Sequence, residues 1–291
     1  MRPFRFFLPL LVLVLVAPAA AQGLQAQPVP GLEPVSDTSV VQVVELRDGS
    51  VLYGRIEDVG PPVRVRLRDG QVVVLDPASI REVRVLEGRI VAGEVWEADS
   101  NPSRLFFAPT ARTTPAGTGY FAVYELVVPF LSFSITDRIM IAGGTPILGG
   151  LGDERPFYIA PKIQLVRREN FQFAAGAWVI ATGADDIDLL SLLFGVATFG
   201  SIDNAVTVGM GYGFEGSDVA DNPALVGGFE TRVTRRIKLV SENWYLPGEV
   251  GFLSIGPRFM GSRLSADVGV AYAVGGDDGF FFPVVNFVFT W

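Results

Sequence analysis

Residues Phe280 to Trp291 read FFFPVVNFVFTW, and this stretch decides the fold. Every second residue back from the terminal tryptophan is apolar: Phe289, Phe287, Val285, Pro283 and Phe281. Successive side chains of a strand point to opposite faces, so the stretch predicts a strand with one apolar and one mixed face. No later strand follows in the chain to cover the apolar face. A lipid-facing strand that closes a barrel fits this pattern better than the edge of a soluble sheet.

A final strand of alternating aromatic residues that ends in Trp or Phe resembles the C-terminal strand of Gram-negative outer-membrane β-barrel proteins. The resemblance rests on Phe280 to Trp291. It implies that the apolar side chains contact outer-membrane lipid and that the barrel-insertion machinery recognises this strand. The rest of the chain is then expected to supply the other strands.

The N-terminus has the three parts of a secretory signal peptide. Arg2 and Arg5 precede an apolar run from Phe6 to Val16, and the small residues Ala19-Ala20-Ala21 follow. The run is shorter than the roughly 20 residues of a spanning helix, which is the alternative interpretation. We expect residues 1–21 to be a signal peptide, and residues 22–38, rich in Gln, Pro and Gly, to form a flexible leader.

The composition restricts the chemistry. The chain is 49% hydrophobic, so an exported protein of this kind is either a large all-β core or a membrane barrel. It has no cysteine and no histidine, which excludes disulfides, Ser-His-Asp triads and imidazole-ligated metal sites. A net charge of −8 argues against a nucleic-acid partner. We therefore expect no catalysis, no cofactor and no metal site.

Residues 39–98 predict a small periplasmic β domain of five short strands. Its strongest signals are the pairs Asp48-Gly49 and Asp69-Gly70, which favour tight hairpin turns. The layout from Val40 to Val85 resembles small Sm-like or SH3-like barrels. One strand carries Arg64, Arg66 and Arg68 on a single face. This face could meet an anionic polymer, although a solvated surface is the favoured interpretation.

Residues 99–291 predict an antiparallel transmembrane barrel of about twelve strands, so the fold class is all-β. The first two strands are predicted at Ser103 to Arg112 and at Tyr120 to Phe133, joined by Pro115 to Gly119. Short turns alternate with longer connections further along the chain. The long connections are acidic and the short turns are basic, which predicts that the short turns face the periplasm.

Charged side chains at the bilayer midplane cost roughly 2 to 4 kcal/mol on the lipid side, so those within strands should face the lumen. The expected lumen charges are Glu125, Lys162, Glu230, Arg232, Glu242, Arg258 and Asp267. They could line a selective pore, or they could form ion pairs that plug a narrow lumen, and the plug is favoured. The acidic stretches Ala184 to Asp188 and Gly275 to Gly279 could collect Ca²⁺ or Mg²⁺, but solvated loops are the preferred interpretation.

Three functions remain open on the sequence. The favoured one is an outer-membrane barrel with a structural or modest pore-forming role. The second is a membrane anchor that presents the N-terminal β domain to a periplasmic partner or to the cell wall. The third is a secreted, soluble β-sandwich protein.

Overall fold

The computed structural model describes residues 29, 31–35, 40–145, 156–182, 188–216, 218–248, 251–275 and 279–291. The predicted signal peptide, most of the predicted leader and most of the two acidic stretches lie outside these ranges. No helix in the described part of the chain has the length and apolar character needed to cross a membrane.

The N-terminal part is a separate antiparallel sheet with the strand order β4-β3-β2-β1-β5-β6. Its elements are β1 (Val40–Leu46), β2 (Val51–Asp58), β3 (Val63–Leu67), β4 (Val72–Leu75), a 3₁₀ turn (Pro77–Ser79), β5 (Ile80–Val91) and β6 (Glu94–Glu97). Strands β1 to β5 form the five-stranded unit, and β6 pairs with the second half of β5. Gly49 and Gly70 have φ values of +88° and +89°, as the two Asp-Gly turns require.

The described part of the predicted flexible leader is packed against this sheet. Val29 and Leu32 contact the buried core formed by Val44, Ile56, Val63, Val65, Ile80 and Val83. The Glu33 carbonyl accepts a hydrogen bond of 2.7 Å from Gln42 Nε2. These contacts hold the described part of the leader against the domain, although its Pro-rich composition predicts a flexible segment.

The C-terminal part is a closed antiparallel barrel of twelve strands. Its elements are β7 (Gly119–Tyr124), β8 (Val128–Thr136), β9 (Ile139–Gly144), β10 (Phe157–Ile159), β11 (Lys162–Arg168), β12 (Phe171–Thr182), β13 (Asp188–Gly200), β14 (Asn204–Glu215), β15 (Asp218–Val219), β16 (Ala224–Thr234), β17 (Ile237–Tyr245), β18 (Gly251–Met260), β19 (Leu264–Val274) and β20 (Phe280–Thr290). Segments β10 and β11 are two halves of one wall strand, since both pair with β9 and β12. The short β15 pairs only with the end of β14.

The barrel closes between its last and first strands. Strand β20 pairs with β7 from Asn286 opposite Tyr124 to Thr290 opposite Tyr120. Two further hydrogen bonds join Trp291 and Gly119 through their backbones, at 3.1 and 3.3 Å. Closure leaves no free sheet edge, which is a requirement for strands that cross a bilayer.

Side chains alternate across the wall as a lipid-facing barrel requires. In β14 the outward residues Val206, Val208 and Met210 are about half exposed, whereas the inward Thr207 is buried. In β20 the phenylalanines Phe281, Phe287 and Phe289 point outward. The apolar side chains therefore form the outer surface, and they are not stacked in a two-layer soluble core.

The predicted strand from Ser103 to Arg112 is wrong, because this segment lies inside the barrel and is not part of the wall. The predicted strand from Tyr120 to Phe133 is also wrong in extent, since it is split into β7 and β8 by a turn at Glu125 and Leu126. One predicted strand is lost and one is gained. The count of twelve therefore holds although the first two strands differ.

The two ends of the barrel differ in their connections. The short-turn end carries residues 137–138, 169–170, 201–203, 235–236 and 261–263, together with Trp291. The loop end carries the connections β7–β8, β9–β10, β12–β13, β14–β16, β17–β18 and β19–β20, of which residues 125–127, 145, 156, 216, 218–223, 246–248, 275 and 279 are described. Pro115 to Gly119, predicted at the loop end, lies at the short-turn end, where Ala116 N donates to Asp137 Oδ1 at 2.8 Å.

Candidate functional site in the barrel lumen

The lumen is occupied by residues 99–114, which we call the inserted segment. Most of its side chains are buried, whereas Phe107 at its tip is 37% exposed. The exposed fractions are 0–6% for Asp99, Asn101, Arg104, Leu105, Ala108, Thr110 and Arg112. The segment folds back on itself, because Leu105 N donates to the Ala108 carbonyl at 2.9 Å and Thr110 N to the Ser103 carbonyl at 3.0 Å. Pro109 lies in this return and has no N–H to donate to a neighbouring strand.

One group of ion pairs holds the beginning and end of the inserted segment. Asp99 Oδ2 lies 3.0 Å from Lys238 Nζ and 3.2 Å from Arg258 Nη1. Lys238 Nζ also lies 3.1 Å from Glu230 Oε2, and the other oxygen of Glu230 accepts from Arg112. Each of these charges is buried, so its loss of hydration is offset only through its partners.

A second group of ion pairs holds the middle of the inserted segment. Asp267 accepts from Arg258 Nε at 2.7 Å and from Arg104 Nη1 at 3.0 Å. Arg258 Nη2 also donates to the Leu105 carbonyl. A single wall arginine therefore joins two carboxylates and the backbone of the segment.

Wall side chains also satisfy the backbone groups of the inserted segment, which has no neighbouring strand. Glu242 Oε2 accepts from Phe107 N at 2.7 Å and from Ala108 N at 2.9 Å. Further bonds come from Gln164 Nε2 to the Ala111 carbonyl at 2.8 Å, from Ala111 N to Thr198 Oγ1 at 2.9 Å, and from Asn286 Nδ2 to the Phe106 carbonyl at 3.2 Å. Buried backbone groups are costly when unpaired, so these contacts make the segment compatible with a closed interior.

The tip of the inserted segment reaches aromatic residues towards the loop end. The Phe107 ring lies 5.2 Å from the ring of Tyr124 and 4.7 Å from that of Trp178, both edge to face. Trp178 in turn lies 6.4 Å from Trp244. This aromatic group lies beyond the ion pairs, towards the loop end.

Five of the predicted lumen charges, Lys162, Glu230, Glu242, Arg258 and Asp267, are placed against the inserted segment. Arg232 faces inward at the short-turn rim, where it pairs with Asp203 at 3.0 Å. Glu125 is not in the lumen: it is exposed in the β7–β8 turn with φ +49°, because the chain reverses there. The prediction of a single strand from Tyr120 to Phe133 allows no turn at this position.

Four lumen charges were not predicted from the sequence: Asp99, Arg104, Arg112 and Lys238. The sequence predicts Asp99 at a domain boundary and the two arginines in a wall strand. A signal was available in the inserted segment. Pro109 in the middle of a supposed strand argues against that assignment.

The remaining space in the barrel is uneven. A vestibule of about 710 Å³ opens at the short-turn end and is bordered by Arg112, Arg167 and Trp291. Deeper in the lumen, cavities of about 40 and 20 Å³ lie beside Lys162 and Trp178. Within the described ranges, no group of three or more Asp and Glu side chains could hold a metal ion.

The N-terminal sheet contacts the short-turn end of the barrel through its β5–β6 hairpin. Arg89 Nε lies 2.7 Å from Asp203 Oδ2, and Arg232 Nη1 donates to the Glu97 carbonyl at 2.6 Å. The guanidinium groups of Arg89 and Arg232 lie 5.7 and 5.3 Å from the ring centre of Trp96. The N-terminal sheet thus lies at the end of the barrel where the inserted segment enters and leaves the lumen.

Closure, an apolar outer surface and an occupied polar interior occur together in this chain. The fold is that of an outer-membrane β-barrel. No protein-family model and no curated protein matches the sequence.

Two groups of solved structures are similar to this chain. The KdgM porin is 8% identical, with a TM-score of 0.46 over 60% of this chain and 98% of that chain. The KdgM porin in complex with disordered oligogalacturonate is also 8% identical, with a TM-score of 0.47 over 60% of this chain and 98% of that chain. A loop L8 deletion mutant of OmpT, an outer membrane protein of Vibrio cholerae, is 11% identical with a TM-score of 0.36 over 87% of this chain and 96% of that chain.

Proposed function

We propose that this protein is a plugged outer-membrane barrel that anchors its N-terminal β domain at the periplasmic face of the membrane. The observation that carries the proposal is the inserted segment, which connects the domain to the barrel and fills the lumen with paired charges. A lumen filled in this way passes no solute. The domain, held at the short-turn end, is then the part that meets a periplasmic or cell-wall partner.

The proposal includes the location of the N-terminal domain on the periplasmic side of the membrane. It is supported by the pattern of connections, since short turns face the periplasm in this class of barrel. The predicted signal peptide and recognition of Phe280 to Trp291 by the insertion machinery belong to the same route of export. No catalytic role is included.

Conductance in a planar bilayer tests the closed lumen. The full chain should give no steady conductance, whereas a variant that joins Ser100 directly to Thr113 should give discrete steps. This deletion removes the parts of the segment that contact Glu242, Asp267 and the aromatic group. Steady conductance of the full chain at the level of the deletion variant would contradict the proposal.

Cysteine labelling tests the orientation, and the absence of native cysteine makes each label specific. Ser50 lies in the exposed β1–β2 turn and Asp218 lies at the loop end, and each is replaced by cysteine in a separate variant. An impermeant maleimide should label Asp218→Cys in intact cells and Ser50→Cys only after the outer membrane is permeabilised. The reverse order would place the domain outside the cell.

A gated pore is the second candidate, and the charged wall favours it. If the inserted segment moves out, Lys162, Glu230, Lys238, Glu242 and Asp267 remain as a polar lining. Ala111→Cys with Thr198→Cys would lock the segment to the wall, because Ala111 N lies 2.9 Å from Thr198 Oγ1. Channel openings that stop on oxidation and return on reduction would support gating, and a silent bilayer in both states would support the anchor.

A further inference from the structure

The buried charges of the lumen do not balance. Among the described residues, five cationic side chains are buried there, Arg104, Arg112, Lys162, Lys238 and Arg258, against four carboxylates, Asp99, Glu230, Glu242 and Asp267. Asp203 is also buried, but it lies at the rim and is paired with Arg89 and Arg232. The interior therefore carries one positive charge in excess.

Lys162 accounts for this excess. Its Nζ donates to the carbonyls of Ser103 at 3.0 Å, Thr110 at 3.1 Å and Arg112 at 2.6 Å. Three acceptors need three N–H groups, which an ammonium has and a neutral amine lacks. The geometry thus fits the charged form, and an unbalanced buried charge is costly.

Unpartnered donors lie beside the same charge. Arg104 Nε and Nη2 are buried and have no hydrogen-bond partner within the described residues, and the same is true of Ser132 Oγ. Arg104 is 2% exposed and Ser132 is 1% exposed. Both side chains border the cavity of about 40 Å³ that Lys162 also borders. Arg104, Ser132 and Lys162 thus border one small space.

We propose that this cavity is a binding site for a single halide ion, held by Arg104 and Ser132 and balanced by Lys162. The volume exceeds the roughly 10–15 Å³ needed for one water molecule, so it accommodates a monatomic anion. Tyr120, Tyr124 and Phe130 also border the cavity, and its small volume favours a monatomic anion over a larger oxyanion. The ion completes the hydrogen bonding of Arg104, which also pairs with Asp267, and so fixes the inserted segment.

Bromide crystallography and halide-dependent unfolding of the full chain in detergent test the site. Crystals grown in sodium bromide should show an anomalous peak in the cavity between Arg104 and Ser132. The unfolding temperature should be higher in sodium chloride or bromide than in sodium gluconate at equal ionic strength. An ordered water in the cavity with no anomalous peak would overturn the proposal.

Two serines on strand β8 provide a matched pair of variants. Ser132→Ala removes a donor from the cavity, and loss of one hydrogen bond to a charged ion should weaken halide binding by about tenfold or more. Ser134→Ala is the control, since Ser134 is equally buried but bonds to Thr114 at 2.7 Å, away from the cavity. Equal halide dependence in the two variants, or an equal effect of chloride and gluconate, would contradict the assignment.

Discussion

At the scale of single residues, Arg258 connects two buried carboxylates of the lumen with the backbone of the inserted segment. Its guanidinium joins Asp99 at 3.2 Å, Asp267 at 2.7 Å and the backbone of the inserted segment. It is completely buried, and without it Asp99 would keep only Lys238, and Asp267 only Arg104, as a cationic partner. Breaking such a pair from one side is far more costly than replacing the whole pair by apolar groups.

Arg258→Met is expected to destabilise the folded barrel by about 3–5 kcal/mol, because Asp99 and Asp267 lose a cation in a dry interior. Urea unfolding of the refolded protein measures this. Arg263→Met is the matched control, since Arg263 is exposed in the turn between β18 and β19 and its loss should change the unfolding free energy by less than about 1 kcal/mol. Similar values for both variants would show that the lumen ion pairs are not required for stability.

At the scale of elements, the turn between β7 and β8 is made without glycine. Glu125 and Leu126 have φ values of +49° and +62°, a region that is unfavourable for residues with a Cβ. The turn is held by Val127 N, which donates to the Tyr124 carbonyl at 3.1 Å, and by Glu125 N, which donates to Asn286 Oδ1 at 3.2 Å. The neighbouring strands thus maintain a conformation that the two residues do not favour.

Leu126→Gly is expected to stabilise the barrel by about 1 kcal/mol, because glycine adopts a positive φ without steric cost. The free energy of unfolding in urea checks this. Leu131→Gly, at an exposed position of β8 that pairs in register with Phe121 and Gly143, should instead destabilise by about 1 kcal/mol or more, because glycine weakens a strand and the outward leucine side chain is lost. A loss of stability in both variants would mean that the turn is not strained.

The same turn shows why the sequence predicts some elements and misses others. Asp48-Gly49 and Asp69-Gly70 mark their hairpins because glycine is the residue that such turns favour. Glu125 and Leu126 include no glycine that would indicate a turn, so the sequence predicts one strand where the structure has β7 and β8. Arg104 and Arg112 lie near the two ends of a mostly apolar stretch of strand length, which predicts a wall strand. Their position inside the barrel depends on Glu230 and Asp267, more than a hundred residues away, and local periodicity contains no information about such partners.

At the scale of the whole molecule, the N-terminal sheet and the barrel are joined by the connecting chain and by the contacts around Trp96. The ring lies between Arg89 and Arg232, both of which pair with Asp203. Arg89 is about half exposed, so its ion pair is weakened by solvent and salt. The tryptophan ring therefore contributes much of the contact that positions the domain.

Trp96→Ala is expected to release the domain from the short-turn end without unfolding either part. Limited proteolysis should then cleave the connection at residues 97–98, which precede the inserted segment, several times faster, while the urea midpoint of the barrel stays unchanged. Val74→Ala, on the exposed edge strand β4, is the control and should not alter the cleavage rate. Equal cleavage rates in the two variants would mean that Trp96 does not hold the domain.

The path of the inserted segment has a mechanical consequence. Asp99 contacts the beginning of β17, and Thr114 contacts the end of β8, so the chain enters and returns through the same mouth of the barrel. A loop of this kind is not threaded through the barrel, so traction on the N-terminal domain could withdraw it through that mouth while every wall hydrogen bond stays intact.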